Sequence, residues 1–254
     1  MKYLPYCVFM WPHDTLAALP VGVDGQPVLV VGEAGLGAAV SAIPGSELNP
    51  EISRLRAFER VVEWFHERWA VLPMRYGCLL EDLTQVLEVL REHREEYQAL
   101  LEGLAGAVEM TIRVLTDTEA AAEVPPIPAE SGGPGAAYLA RLRDQYAAAD
   151  RAIREADGIA DRLCRLLAGT FVRSQTEPAS RGGTGGGKTL ASVHFLVKRG
   201  AVASFREAVE RLRGRLPGGM LVSGPWPPYN FVDSSPREEA GDPAGLPQGG
   251  PAHV

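Results

Sequence analysis

The 254-residue sequence carries only three cysteines, Cys7, Cys78 and Cys164, widely separated and odd in number. Such a set gives no disulfide framework, and apolar neighbours such as Leu79 and Leu80 beside Cys78 mark the three as buried free thiols. Long apolar runs are missing: none approaches the roughly 18 residues that span a bilayer. Residues 1–14 lack both an apolar stretch of signal-peptide length and a small-residue cleavage site. A cytoplasmic protein with no membrane span is expected. Positive charge is in deficit, with 25 Lys and Arg against 32 Asp and Glu and a net charge of −7. That balance argues against nonspecific binding to nucleic acid or anionic lipid.

Catalytic and metal-binding signatures are scarce. His13, His66, His93, His194 and His253 show no HExxH spacing and no neighbouring cysteine pair. His66 and His93 fall among charges on exposed helix faces and His194 within a strand, so solvated or packed histidines are expected, with no metal site. The carboxylates from Glu88 to Glu96 alternate with Arg91 and Arg94 and read as a solvated helix face. No serine sits in a G-x-S-x-G elbow. One string does match a catalytic pattern: Gly182-Gly183-Thr184-Gly185-Gly186-Gly187-Lys188-Thr189 fits G-x-x-x-x-G-K-[ST]. A phosphate loop also needs a buried strand before it and a helix opening at Lys188-Thr189. Upstream the chain is polar and broken by Pro178, and downstream Leu190–Lys198 alternates as a strand. The tract therefore reads as a flexible hairpin loop, with a nucleotide-binding enzyme using Gly182–Thr189 as the competing reading. No catalytic residue and no cofactor are expected.

What the sequence does have is a globular composition, 46% hydrophobic and 22% charged. Tyr3–Met10 is strand-like, and Val28–Val31 and Leu36–Ile43 flank Gly32-Glu33-Ala34-Gly35 as a hairpin. Asn49-Pro50 supplies a helix start, followed by Ile52, Leu55, Phe58, Val62, Phe65 and Trp69 on one helical face. Val71–Gly77 reads as a short edge strand interrupted by Pro73. A single amphipathic helix is predicted from Glu81 to Leu104, with Leu83, Leu87, Leu90, Tyr97, Leu101 and Leu104 inward.

Beyond it, Val108, Met110, Ile112 and Val114 alternate with Glu109, Thr111 and Arg113 as a half-buried strand. After a linker at 116–134 a long helix places Leu139, Leu142, Tyr146, Ala149, Ile153, Ala156, Ala160, Leu163 and Leu167 on one unbroken seam. Strands at Thr170–Gln175 and Ala191–Lys198, a helix marked by Val202, Phe205, Val209, Leu212 and Leu216, and a strand at Met220–Ser223 follow. The order is β-α-β-β-α-β, that of the ferredoxin-like motif. The fold class is α+β with two domains, residues 1–104 mixed α/β and 105–233 a modified ferredoxin-like unit. Residues 234–254, rich in Gly and Pro, read as a disordered tail.

Gly224-Pro225-Trp226-Pro227-Pro228-Tyr229-Asn230-Phe231-Val232 resists a bland account. Proline lowers the ordering cost of a contact surface and Trp and Tyr dominate interface hot spots, so Trp226 and Tyr229 are candidate partner-binding residues. Alternation along an extended chain predicts one of the two rings inward and the other outward. Arg75 is the third candidate, read as either a partner contact or a partly buried guanidinium paired with Glu63 or Glu81.

These stretches carry a resemblance. Gly224–Val232 is similar to the signature ending of the gas vesicle protein GvpF/GvpL family, Val71-Leu72-Pro73-Met74-Arg75-Tyr76-Gly77 to its V-L-P-x-R-[FY]-G segment, and Pro134-Gly135-Ala136-Ala137-Tyr138-Leu139 to its P-G-x-x-Y-L stretch. Val108-Glu109-Met110 resembles its strand after the second helix, while Tyr3-Leu4-Pro5-Tyr6-Cys7-Val8 departs from its Y-x-Y-G-[IV] start. The resemblance implies a two-domain fold with a ferredoxin-like second domain and a noncatalytic accessory role in gas vesicle assembly. It implies as partners the small hydrophobic shell protein GvpA and other accessory gas vesicle proteins, with location in the cytoplasm and at the gas vesicle.

Overall fold

The computed structural model describes residues 1–11, 18–45, 48–117, 134–181, 188–215 and 219–232. The glycine tract 182–187, most of the 116–134 linker and the tail from 234 onward lie outside them, as do His13 and His253. The chain folds as an α+β protein around two four-stranded antiparallel sheets.

Strands β1 (Lys2–Met10), β2 (Leu29–Glu33), β3 (Leu36–Ile43) and β4 (Val71–Pro73) form the first sheet in the order β2-β3-β1-β4. The hairpin is tighter than predicted. Its turn is Ala34-Gly35, both with positive φ, so that β2 continues through Gly32 and Glu33. Pro73 is tolerated because β4 is an edge strand, as expected.

Helix α1 (Ile52–His66) covers one face, setting Phe58, Val61, Val62 and Phe65 against Leu4, Tyr6 and Phe9. It begins two residues later than Asn49-Pro50 suggests. Asn49 spends its carbonyl on the Glu51 N–H at 2.9 Å and the Tyr76 hydroxyl at 3.1 Å, a turn ahead of the helix that leaves Ile52 exposed.

On the other face the predicted single helix is two, α2 (Leu83–Glu92) and α3 (Arg94–Leu104), broken at His93 (φ −98°, ψ 17°). The break turns Val86 and Leu90 of one helix and Leu101 and Leu104 of the other into the same cluster over Val8, Leu36, Ala38 and Val40.

The second sheet comprises β5 (Ala107–Asp117), β6 (Arg173–Arg181), β7 (Lys188–Lys198) and β8 (Gly219–Trp226), ordered β6-β7-β5-β8 with two helices inserted, α4 (Pro134–Leu166) and α5 (Val202–Glu210). This is the strand order of the ferredoxin-like motif. Boundaries shift from expectation: β6 starts at Arg173 and runs past Gln175, β7 starts at Lys188, β8 reaches Trp226, and α5 ends at Glu210. One face, with Val108, Met110, Ile112, Val193, Phe195 and Val197, packs under Ala160, Leu163, Phe205 and Val209.

The predicted seam of α4 divides. Ala156, Ala160, Leu163 and Leu167 are buried, whereas Leu139 is 64% exposed, Tyr146 62% and Ile153 39%.

The opposite face of the second sheet meets the first half of the chain. Ala107, Leu196 and Phe231 share one core cluster with Val8, Leu36, Val86 and Leu90. The covered end of that face buries Glu109, Thr111, Ser192 and His194, where a half-buried strand with a polar outer face was expected. His66, expected on an exposed face, is also buried, because its helix end abuts Arg199, whose Nη2 donates to the His66 carbonyl at 2.9 Å. Cys7 is buried and Cys164 partly so, but Cys78 is exposed, its turn lying outside the sheet it follows.

Candidate functional site

The Gly224–Val232 segment extends edge strand β8 and then folds back over the polar face of the second sheet. Gly224 has φ +107°, and a Cβ there would press on the Glu109 carbonyl, so only glycine lets the two strands come this close. Its own carbonyl accepts from Arg206 Nη2 at 2.6 Å. Trp226 pairs with Glu109, after which Pro227 and Pro228 are buried and Tyr229–Phe231 closes a 3-10 turn. The turn is fastened by N–H donations from Tyr229 to the Pro227 carbonyl (2.8 Å) and from Phe231 to the Pro228 carbonyl (3.1 Å).

The anchor is Glu109. Its carboxylate accepts the Asn230 backbone N–H at 2.9 Å and the Asn230 side-chain amide at 2.7 Å. It also receives His194 Nδ1 at 3.0 Å and Thr111 Oγ1 at 3.4 Å, while His194 Nε2 faces Glu177 at 3.2 Å. Every buried charge here thus has a partner of opposite sign or a donor. At the far end of the turn Phe231 is 2% exposed, its carbonyl accepting from Arg173 Nη2 at 3.1 Å.

This arrangement differs from the expected alternation of one ring in and one out. The inward ring is Phe231, while Trp226 is 44% exposed and Tyr229 37%. The 3-10 turn, which strict alternation does not anticipate, leaves Tyr229 partly exposed while its phenol lies toward Glu59, Glu63 and Glu109. Burial of its phenol, reinforced by the charges of Glu59, Cys7, Glu63 and Glu109, pushes the Tyr229 pKa up and keeps it neutral. Arg75 is exposed in the turn after β4. The ion pair proposed for it with Glu63 or Glu81 is not made: Glu81 binds Lys2 at 2.8 Å instead. Sequence reasoning missed Glu109, His194 and Asn230. The available signal was Glu109 and Thr111 at mid-strand, polar residues that need partners if covered.

Lys188 and Thr189 open β7 as a strand, paired with Asp117 and Thr116. The helix N-terminus required by a phosphate loop is therefore replaced by a sheet ladder. Among the described residues no group of three His, Cys, Asp or Glu is placed to hold a metal ion, and no helix is long and apolar enough to cross a membrane.

The two buried histidines give opposite pH responses. Burial alone would lower the His194 pKa, but the hydrogen bond and charge of Glu109, with the charge of Glu177, outweigh it and raise the value above 6.5. Its stabilisation is present below pH 6.5 and fades as pH rises through the folded value. His66 has neither ring nitrogen hydrogen-bonded among the described residues, and burial, helped by Arg199, lowers it to about 4. Its neutral form supports the fold above pH 6.5 and loses on the order of 3 kcal/mol as pH falls toward 4. Denaturant titrations at stepped pH are expected to show greatest stability near pH 6.5, with the acid-side loss flattened in His66→Leu.

The chain is thus an α+β protein with a ferredoxin-like second sheet, across whose polar face an aromatic segment is braced by Glu109. Residues 2–233 match the family model of the gas vesicle synthesis protein GvpL/GvpF, and the chain belongs to that family. It is 31% identical to gas vesicle protein F of Streptomyces sp. (strain CB03234) over 84% of this chain and 91% of that protein. With gas vesicle protein L of the same strain it shares 28% identity over 87% of this chain and 90% of that one. In fold it is similar to the crystal structure of GvpF from Anabaena sp. PCC7120, with a TM-score of 0.71 at 17% identity, covering 92% of this chain and 97% of that chain. GvpF from Microcystis aeruginosa gives a TM-score of 0.69 at 18% identity over 91% and 99% of the two chains. Membership supports an accessory role in gas vesicle formation.

Proposed function

We propose that this chain is a noncatalytic assembly factor of gas vesicles that binds the small hydrophobic shell protein GvpA and other accessory gas vesicle proteins. It would act in the cytoplasm and at the growing vesicle. A shell subunit with a large apolar face aggregates unless that face is masked, and an acidic partner with few exposed rings suits the task. The supporting observation is the pair Trp226, the more exposed, and Tyr229, partly exposed with its phenol covered, on a segment that Glu109 fixes through Asn230. A ring already fixed in place loses little freedom on binding, which favours affinity. Arg75, exposed beyond β4, is read as a further contact. The residue ranges 1–104 and 105–233 are read as the two domains that carry these contacts.

The test is co-purification of GvpA with Trp226→Ala, Tyr229→Ala and Arg75→Ala. Trp226→Ala and Arg75→Ala should fold with stability within about 1 kcal/mol of the parent, as exposed positions do, while Tyr229→Ala, which also loses a covered phenol, should cost about 1–3 kcal/mol and stay folded. The two aromatic variants should weaken capture by about tenfold or more, the level of an interface hot spot. Parental capture by both would place the shell contact elsewhere.

A further inference from the structure

The His194 ring has a carboxylate on each side. Nδ1 lies 3.0 Å from Glu109 Oε1, and Nε2 lies 3.2 Å from Glu177 Oε1. A neutral imidazole has one N–H and one lone pair, so either tautomer turns a lone pair on a carboxylate. Only the imidazolium presents a proton to both. Nδ1 is also 3.0 Å from Thr111 Oγ1 and 3.1 Å from the Asn230 amide nitrogen, which itself donates to Glu109 at 2.7 Å. The ring proton thus stands beside the bond that fastens the C-terminal turn.

The row of the sheet that holds His194 otherwise carries neutral Gln175, Thr111 and Ser223. In the flanking rows Arg173 donates to the Phe231 carbonyl and Arg113 is exposed. The turn brings neutral Asn230 and Tyr229, whose burial keeps the phenol uncharged. Glu109 and Glu177 are therefore the charges that act on the ring. Glu177 is 44% exposed, whereas Glu109 is 3% exposed. When the ring loses its proton, Glu177 turns to water, but Glu109 is left as a buried charge without its cation. Lifting Tyr229–Val232 off the sheet admits water to that carboxylate, so proton loss and opening favour each other. We propose that His194 is a proton-operated clasp: its imidazolium holds the Tyr229–Val232 turn on the second sheet, and removal of the proton at mildly alkaline pH lets the turn open. That the clasp tunes partner capture rests on the function proposed above; the clasp itself does not.

Amide exchange at Asn230 and Phe231 from about pH 6 to 9, corrected for the intrinsic pH dependence of exchange, reads this opening. The opening constant is expected to rise about tenfold or more over the range, since linkage gives up to about tenfold per pH unit while the open form has lost the proton and the closed form keeps it. Glu177→Gln leaves the Asn230 bonds in place and should move the rise to lower pH; His194→Gln should abolish it. The glutamine at 177 occupies a half-exposed position and decides the matter if His194→Gln fails to fold. The imidazole nitrogen resonances of His194 should show both nitrogens protonated at about pH 6.5 and titrate together with the opening. A constant opening across the range, a rise that Glu177→Gln leaves unmoved, a neutral ring at about pH 6.5, or a rise shared equally by the amides of β1 overturns the proposal. None of these readings involves GvpA, so failure of the clasp and failure of the proposed partner are told apart.

Discussion

Glu109→Ala is expected to destabilise the protein by about 3–5 kcal/mol, the usual cost of leaving buried charge and donors without their partner. The change strips the acceptor from the Asn230 N–H, the Asn230 amide and His194 Nδ1 at once, all inside a face that is covered by the first half of the chain. Glu109→Gln keeps the shape but turns one oxygen into a donor that faces other donors, so it should cost about 1–3 kcal/mol. Urea denaturation gives both values. Amide exchange should rise first at Tyr229–Val232, because these residues are held to the sheet through Asn230. A loss below about 1 kcal/mol for the alanine variant would mean that water replaces the carboxylate and that Glu109 is not the anchor.

Phe231→Ala should cost a comparable amount, about 3–5 kcal/mol, as truncation of a fully buried ring does. Phe231 fills the cluster in which Ala107 and Leu196 of the second sheet meet Val8, Leu36, Val86 and Leu90, so the cavity would open where both halves of the chain share a core. Trp226→Ala, which removes a larger ring, should cost less than about 1 kcal/mol, because that ring is 44% exposed. The ranking, with the smaller aromatic far more costly, separates this arrangement from one in which Trp226 seals the core.

Much of the fold was legible because the periodicities were local. Val108, Met110, Ile112 and Val114 alternate within one strand, and the row on α4 repeats within one helix, so β-α-β-β-α-β could be read without any knowledge of contacts. Where the reading failed, the deciding partner lay far away in sequence. The amphipathic pattern of Glu81–Leu104 runs through His93 unbroken, and only the shape of the first sheet requires the bend there. His66 reads as exposed among Glu63 and Glu67, since the Arg199 that abuts its helix end lies 133 residues on.

The aromatic segment was identified from its composition alone, but its mechanics were not. Glu109 and Asn230 are 121 residues apart, and nothing local to either announces that one holds the other. The placement of Tyr229 and Phe231 follows from that distant bond, which is why alternation along the segment did not single out Phe231 as its fully buried ring. Arg75 was drawn inward by its apolar neighbours in the sequence, whereas the strand ends at Pro73 and releases the guanidinium to solvent.

The Trp226–Tyr229 display is expected to serve gas vesicle formation. The most direct measurement is complementation in a gas-vesicle-forming cell lacking its own member of this family, scored by electron microscopy of vesicles, with protein levels checked by immunoblot. The parent chain is expected to restore vesicles, and the Trp226→Ala/Tyr229→Ala double variant, at equal level, is expected not to. Full restoration by the double variant would contradict the account.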